Sequence, residues 1–321
     1  MKIKNYYWGL ACIITYVIIL AIQPLAFNSF DVRFHMDTFL LILTVFTPTF
    51  LFFNLIHGRG HGKLRQKVRE NGKNVLLLNV FTCMAWVPII LSWKYIDEAI
   101  ANTISLGLGP VLLVIRSAVL KNKQLSLKDR LVAIGIGLVI VWLTYISIDG
   151  TPAEEGKNPW IGILLALASG VGVTGYLLVS KGMNRNDWAA KDLMAVRFPM
   201  ILVVCVLFIV FSAEGLSFSV EASHSLYIAA FLLVLTIFMA LPVYLVQVSI
   251  KMLRPMTVSV LIILSPLVTL ILKMVDGQYE GFPTKILLGI ILGIGLMIIH
   301  QLPAKLFQFG KKIPADIQLE D

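Results

Sequence analysis

Charge is scarce in this chain. Asp, Glu, Lys and Arg make up 14% of 321 residues, where a soluble domain carries about 25%. Mean hydropathy is +0.86. So little polar surface cannot cover a water-soluble globule, and that class is excluded. Cysteine is nearly missing as well. Cys12, Cys83 and Cys205 each lie in an apolar run, without metal-site spacing and without an evident disulfide partner. The 18 acidic residues avoid the middle of every apolar run. Proton-driven exchange of organic cations generally uses a membrane-buried carboxylate, so a multidrug cation antiporter becomes the weaker reading. Acidic pairs occur in loops only at Asp97-Glu98 and Glu154-Glu155. A membrane-embedded lipid transferase would call for acidic metal-binding clusters, so no catalytic group, metal or cofactor is expected. The glycine-rich stretch Ser169–Gly175 has no strand before it and lies inside an apolar run. It reads as close helix contact, not as a nucleotide loop.

What is present is a series of ten apolar runs, each near the ~20 residues a crossing helix needs. They cover Tyr7–Phe27, Thr38–Ile56, Asn74–Trp93, Glu98–Leu120, Asp129–Ile148, Pro159–Val179, Lys191–Ser212, Leu226–Ser249, Pro255–Val275 and Lys285–Leu302. The formal charge of +9 resolves once these runs are placed. With the N-terminus in the cytoplasm and sides alternating, twenty of the 27 Lys and Arg face the cytoplasm and five face outward. Arg116 and Arg197 fall within runs. The opposite start would violate the positive-inside rule. The expectation is a multi-pass protein of a bacterial inner (plasma) membrane with both termini cytoplasmic. The basic excess belongs to loops, and nucleic acid is not an expected partner. Trp8, Trp93, Trp160 and Trp188 sit at the ends of runs and read as interface-belt residues.

The chain also repeats itself. Gly135-Ile136-Gly137-Leu138 recurs as Gly293-Ile294-Gly295-Leu296. The preceding runs carry Pro110 and Pro266 near their centres. The offset is 156 positions at the prolines and 158 at the glycines. Weaker echoes pair Val45-Phe46-Thr47-Pro48 with Val196-Arg197-Phe198-Pro199, and Trp8-Gly9 with Trp160 and Gly162. Such internal duplication is a mark of transporter folds. Five runs per half is an odd number, so the second copy inserts upside down. The expected fold class is all-α integral membrane, with ten transmembrane helices as two inverted five-helix repeats. The first repeat is 1–150, the outer linker 151–158, the second repeat 159–302 and the cytoplasmic tail 303–321.

At this point the chain resembles the drug/metabolite transporter superfamily, in its EamA-like branch. The resemblance rests on the inverted halves, the proline in the fourth helix of each half, and the glycine-rich fifth helix. Gly162-Ile163-Leu164-Leu165-Ala166-Leu167-Ala168 and Arg197-Phe198 are similar to phrases common there. It covers about residues 7–302 and implies export of a small metabolite. Members often carry a glutamate just after the fourth helix of a half. Here Lys121-Asn122-Lys123 and Asp276-Gly277-Gln278 occupy those places.

Pro110 and Pro266 each remove a helical hydrogen bond, freeing a carbonyl near Leu106 or Ile262. In hydrocarbon such a break survives where protein or water lines it, and discontinuous helices at mid-membrane are where transporters bind substrate. A plain packing kink is the alternative. Candidate substrate-binding residues are Tyr16, Trp86, Asn102, Ser105, Ser169, Thr174, Tyr176, Arg197, Tyr244 and Gln247. Aromatic faces with a few polar groups suit a small organic ligand, although a buried aromatic is often packing alone. Arg116 reads as a snorkelling side chain. Arg197 lies deeper and either snorkels or clamps an anionic group.

The expected function is a secondary carrier of a small organic metabolite, amino-acid-like or otherwise neutral or anionic, working by alternating access. The protein would act as a monomer or homodimer in the lipid bilayer. A membrane-embedded enzyme, a translocase for lipid-linked intermediates, a multidrug efflux carrier and a receptor or scaffold stay open as alternatives.

Overall fold

A computed structural model of the chain describes residues 3–34, 38–57, 61–119, 127–150, 158–211, 225–253, 255–262, 264–275 and 284–301. The linker 151–157, the tail beyond 301, and the segments holding Lys121–Lys123 and Asp276–Gln278 lie outside the described residues. The described chain is helical, and no strand occurs in it. The helices are α1 (Ile3–Phe34), α2 (Thr38–His57), α3 (His61–Glu70), α4 (Gly72–Ser92), α5 (Glu98–Val119), α6 (Leu127–Gly150), α7 (Pro159–Arg185), α8 (Ala190–Val196), α9 (Pro199–Phe211), α10 (Ser225–Met252), α11 (Pro255–Ile262), α12 (Ser265–Val275) and α13 (Thr284–Gln301).

Seven helical stretches are long and apolar enough to cross a membrane: Tyr6–Ala26, Thr38–Ile56, Gly72–Ser92, Glu98–Val119, Pro159–Arg185, Ala190–Phe211 and Leu232–Met252. Leu131–Ile146, Ser265–Val275 and Thr284–Leu296 are shorter apolar helices. This is a multi-pass helical membrane protein. A helix satisfies its own backbone, which is why hydrocarbon selects it. The short α3 is different. It holds Lys63, Arg65, Lys67 and Arg69, with Leu64 buried and most of its charges exposed.

α7 occupies the middle of the bundle, against α4 and α5. Small residues let it approach so closely. A Cβ on Gly172 would stand 2.4 Å from the Ala85 nitrogen, one on Gly170 2.5 Å from the Ser105 carbonyl oxygen, and one on Gly175 2.3 Å from the Phe81 ring. α1 packs on α10 and on α11 and α12. There Gly9 meets Met252 and Leu253, the Ser249 hydroxyl donates to the Gly9 carbonyl at 3.2 Å, and the Thr269 hydroxyl donates to the Ala21 carbonyl at 3.0 Å. α6 packs on α13 through the two copies of the repeated phrase. A Cβ on Gly135 would lie 2.8 Å from Leu296, and one on Gly293 3.4 Å from Val139.

Two of the expected continuous runs are interrupted. Pro199 opens α9, and the chain bends at Arg197 and Phe198 between α8 and α9. Proline cannot donate to the Ala195 carbonyl four residues back; Asn54 Nδ2 does so at 3.1 Å. Asn79 fills the rest of the gap. Its Nδ2 donates to the Val196 carbonyl at 2.6 Å and its Oδ1 accepts from the Met200 amide at 3.2 Å. The second interruption falls between α11 and α12, just before Pro266. The expected break at Pro110 does not occur: α5 runs through it without interruption. A proline removes one donor but leaves the flanking ladder able to continue, so the break is not obligatory.

Candidate functional site

Six residues singled out from sequence surround one cavity: Tyr16 of α1, Trp86 of α4, Asn102 and Ser105 of α5, and Ser169 and Tyr176 of α7. Leu20, Gln23, Ala85, Ile89, Trp93, Leu106 and Val173 complete the lining. The cavity is narrow. About 40 Å³ is open to a water-sized sphere, room for a few waters rather than a metabolite. It extends from Tyr16 and Tyr176, deep in the bundle, toward the α4–α5 turn, where Trp93 and Asn102 stand.

Its walls are tied by hydroxyls. Ser105 Oγ donates to Ser169 Oγ at 3.0 Å, and Ser169 Oγ donates to the Ala85 carbonyl at 2.7 Å. Three helices are thereby fixed where α7 touches both neighbours. Trp93 Nε1 donates to Asn102 Oδ1 at 3.3 Å. Gln23 Nε2 donates to the Phe238 carbonyl at 2.9 Å, the carbonyl that Pro242 leaves without its helical donor. Gln23 Oε1 and Asn102 Nδ2 have no hydrogen-bond partner among the described residues. Both groups belong to side chains buried in the cavity wall.

Arg197 lies behind the deep end of the cavity. Its Cζ sits 4.7 Å from the Tyr176 ring centroid and 5.5 Å from that of Phe198. Nε donates to Thr82 Oγ1 at 3.3 Å. Tyr16 and Tyr176 are neighbours across the deep end of the cavity, and each interacts electrostatically with the guanidinium. Phe46 and Trp86 close the cluster edge to face, with centroids 5.4 Å apart.

The remaining candidates stand elsewhere. The Thr174 hydroxyl donates back to the Gly170 carbonyl at 2.8 Å and faces Gly109 of α5. Tyr244 stacks on Phe53 with centroids 5.8 Å apart and borders a separate cleft with Trp8, Cys12 and Lys191. Gln247 is fully buried and donates to Ser180 Oγ at 3.3 Å. Arg116 is exposed in the last turn of α5. Trp8 and Trp160 are exposed, as belt residues would be, but Trp93 and Trp188 are buried. Those two fold inward because their helices end in turns that cap the bundle.

Both ends of the bundle are held by charge. At the end carrying α3, Lys67 Nζ pairs with Asp192 at 2.8 Å and donates to the Asp187 carbonyl at 2.9 Å. Lys181 Nζ donates to the Ile250 and Leu253 carbonyls at 2.7 and 3.0 Å, closing the C-terminus of α10. At the opposite end Lys273 of α12 pairs with Asp97 at 2.6 Å and also with Glu98. Asp97-Glu98 is therefore not an isolated acidic pair. Gln23, Trp93, Asn54, Asn79 and Lys273 were not among the sequence candidates. The legible signal for the amides was an Asn or Gln inside an apolar run, and for Gln23 and Asn54 the target is a carbonyl orphaned by a proline.

No family model matches the chain, and no curated protein matches it. A solved structure described only as "Crystal structure of protein" superposes with a TM-score of 0.64 at 17% identity, covering 96% of this chain and 100% of that one. The likeness at this identity concerns the fold.

Proposed function

We propose that the protein is a secondary carrier that moves a small organic metabolite across the membrane by alternating access, outward in the exporting direction. The observation that carries this reading is the cavity: an aromatic and polar pocket buried in a membrane bundle, with unpartnered groups on Gln23 and Asn102, between two charge-latched ends. Lys67 with Asp192 would hold one end shut and Lys273 with Asp97 and Glu98 the other. Releasing one at a time would expose the pocket to each side in turn.

The reading includes ten spans in two inverted halves. The packing partners support it. α4 lies on α7 as α10 lies on α1, and α5 lies on α7 as α11 and α12 lie on α1. Exchanging halves converts each pair into the other. Gly162 meets Tyr95 and Ile96 as Gly9 meets Met252 and Leu253, and α6 meets its counterpart α13. The end carrying basic α3 would be cytoplasmic, and the cavity would point outward. This arrangement is the one expected of the drug/metabolite transporter superfamily.

The test is flux. Purified protein in proteoliposomes, preloaded with metabolite pools, should release at least one small organic compound faster than empty vesicles. Binding without movement of any bound compound would remove the carrier reading.

A further inference from the structure

The deep end of the cavity is backed by an uncompensated cation. Arg197 is 1% exposed. Nη1 and Nη2 have no hydrogen-bond partner among the described residues, so one hydrogen bond to Thr82 and two aromatic faces are what the guanidinium has. Aromatic faces attract a cation but accept no hydrogen bond from it in the plane of the fork, and a buried charge is stabilised most by a hydrogen-bonded counter-charge. The ion pairs described for this chain lie at the bundle ends, around Lys67 and Lys273, and none reaches Arg197. The site therefore favours an arriving anion, and the two free nitrogens form the planar fork that a carboxylate fills with two parallel hydrogen bonds.

Tyr16 and Tyr176 line the cavity, and Arg197, just outside the lining, packs its guanidinium over the Tyr176 ring. Beyond them the walls are the rings of Trp86 and Trp93. At the far end Gln23 Oε1 offers one acceptor and Asn102 Nδ2 one donor. Among the described residues lining the cavity there is no carboxylate, so an ammonium would be left without a counter-charge.

Resting on the carrier reading above, we propose that the substrate is an organic monoanion with a flat apolar body. Its carboxylate takes Nη1 and Nη2 of Arg197 when the Tyr16 and Tyr176 side chains separate. A neutral polar group at its distal end is met by Gln23 and Asn102. Amino-acid zwitterions and organic cations are discriminated against by the missing acid.

The test uses the purified full chain and three probes of similar size: benzoate, benzamide and phenylalanine. Benzoate should raise the melting temperature, with the other two binding at least tenfold more weakly. Arg197→Lys keeps the charge but loses the fork, and should weaken benzoate about tenfold while leaving benzamide unchanged. Arg197→Met should abolish benzoate binding without lowering the melting temperature of the ligand-free protein, since an unpaired buried charge is removed. Should that variant not fold, the three probes on the natural protein still decide. Benzoate binding no tighter than benzamide, or unaffected by Arg197→Lys, overturns the proposal. Benzoate bound in the Arg197-dependent manner but not moved in proteoliposomes leaves the anion site standing and removes only the carrier reading.

Discussion

The side chain of Asn79 stands in for a missing turn of helix by bonding to Val196, 117 positions away, over 2.6 Å. With its other amide atom it holds the Met200 amide, so one residue of α4 closes the part of the gap that Asn54 leaves open. Asn79→Leu would leave two buried backbone groups unpaired, at about 1–3 kcal/mol each. The variant should unfold in detergent with about 2–6 kcal/mol less stability. Asn79→Asp should fall between, because it keeps the acceptor for Met200 and loses the donor. Unchanged stability of the leucine variant would show that the bend finds its partners elsewhere.

Glycines in the apolar runs are not equivalent, and alanine scanning should separate them. Gly137 has nothing within 4 Å of the position a Cβ would take. Gly137→Ala should be neutral or stabilising by up to about 1 kcal/mol, the intrinsic gain of alanine over glycine in a helix. Gly172→Ala would drive its methyl into the α4 backbone at Ala85, which cannot yield, and should cost the protein most of its folded yield. Comparable melting temperatures for the two variants would contradict the packing of α7.

The two central prolines should respond unequally. α5 is already continuous through Pro110, so Pro110→Ala should restore one hydrogen bond and raise stability slightly with little effect on flux. Pro266 follows an actual interruption, and Pro266→Ala should let α11 and α12 merge. Flux should then fall by about tenfold or more while probe binding changes little. Equal loss of flux in both variants would return the prolines to a matched mechanical pair.

Lys273→Met should be among the more damaging changes at the α4–α5 end. It strips the ammonium from two carboxylates in a buried site, which costs about 3–5 kcal/mol. Combining it with Glu98→Gln should recover part of that loss, since one of the stranded charges is then gone. Thermal unfolding of the single and double variants measures it, and a double variant no better than Lys273→Met would mean that Glu98 draws its stability from other neighbours.

Topology can be read by labelling. A single cysteine replacing exposed Lys63 should react only with reagent on the cytoplasmic side, and one replacing Glu155 only with reagent outside. Reaction of both from one side would overturn the proposal of two inverted halves.

The helices were largely legible in the sequence, because hydrocarbon forces the chain to declare its crossing segments as apolar runs. The interruption at Arg197 was written there too, in Pro199 and the carbonyl it orphans, but it looks like an ordinary apolar run until one asks which donor reaches Ala195. The donors, Asn54 and Asn79, sit more than a hundred residues away, and nothing local points from them to their target. Six cavity residues could be anticipated because each is a polar or aromatic group mid-run. Gln23 carries the same signal, beside Pro24. Trp93 and Trp188 misled because a tryptophan at the end of a span has the same sequence signature whether it faces lipid or folds beneath a capping turn. The pairing of Lys273 with Asp97 and Glu98 spans 176 and 175 positions and has no sequence trace at all.

Arg197 also bears on how the chain is made. Before any partner has arrived, the segment Ala190–Phe211 must leave the translocation machinery carrying a guanidinium, at about +2.5 to +3.5 kcal/mol for a central arginine. That segment has a hydropathy of 2.7, above the other six long helices, and ten of the eleven residues from Ile201 to Phe211 are Leu, Ile, Val or Phe. At about −0.3 to −0.6 kcal/mol each, they offset the arginine. The greasy stretch of α9 is thus matched to a charge it scarcely touches in the finished fold. A polar replacement at exposed Val210 or Phe211, harmless by every contact in the structure, would be felt during synthesis, as a segment that fails to enter the bilayer.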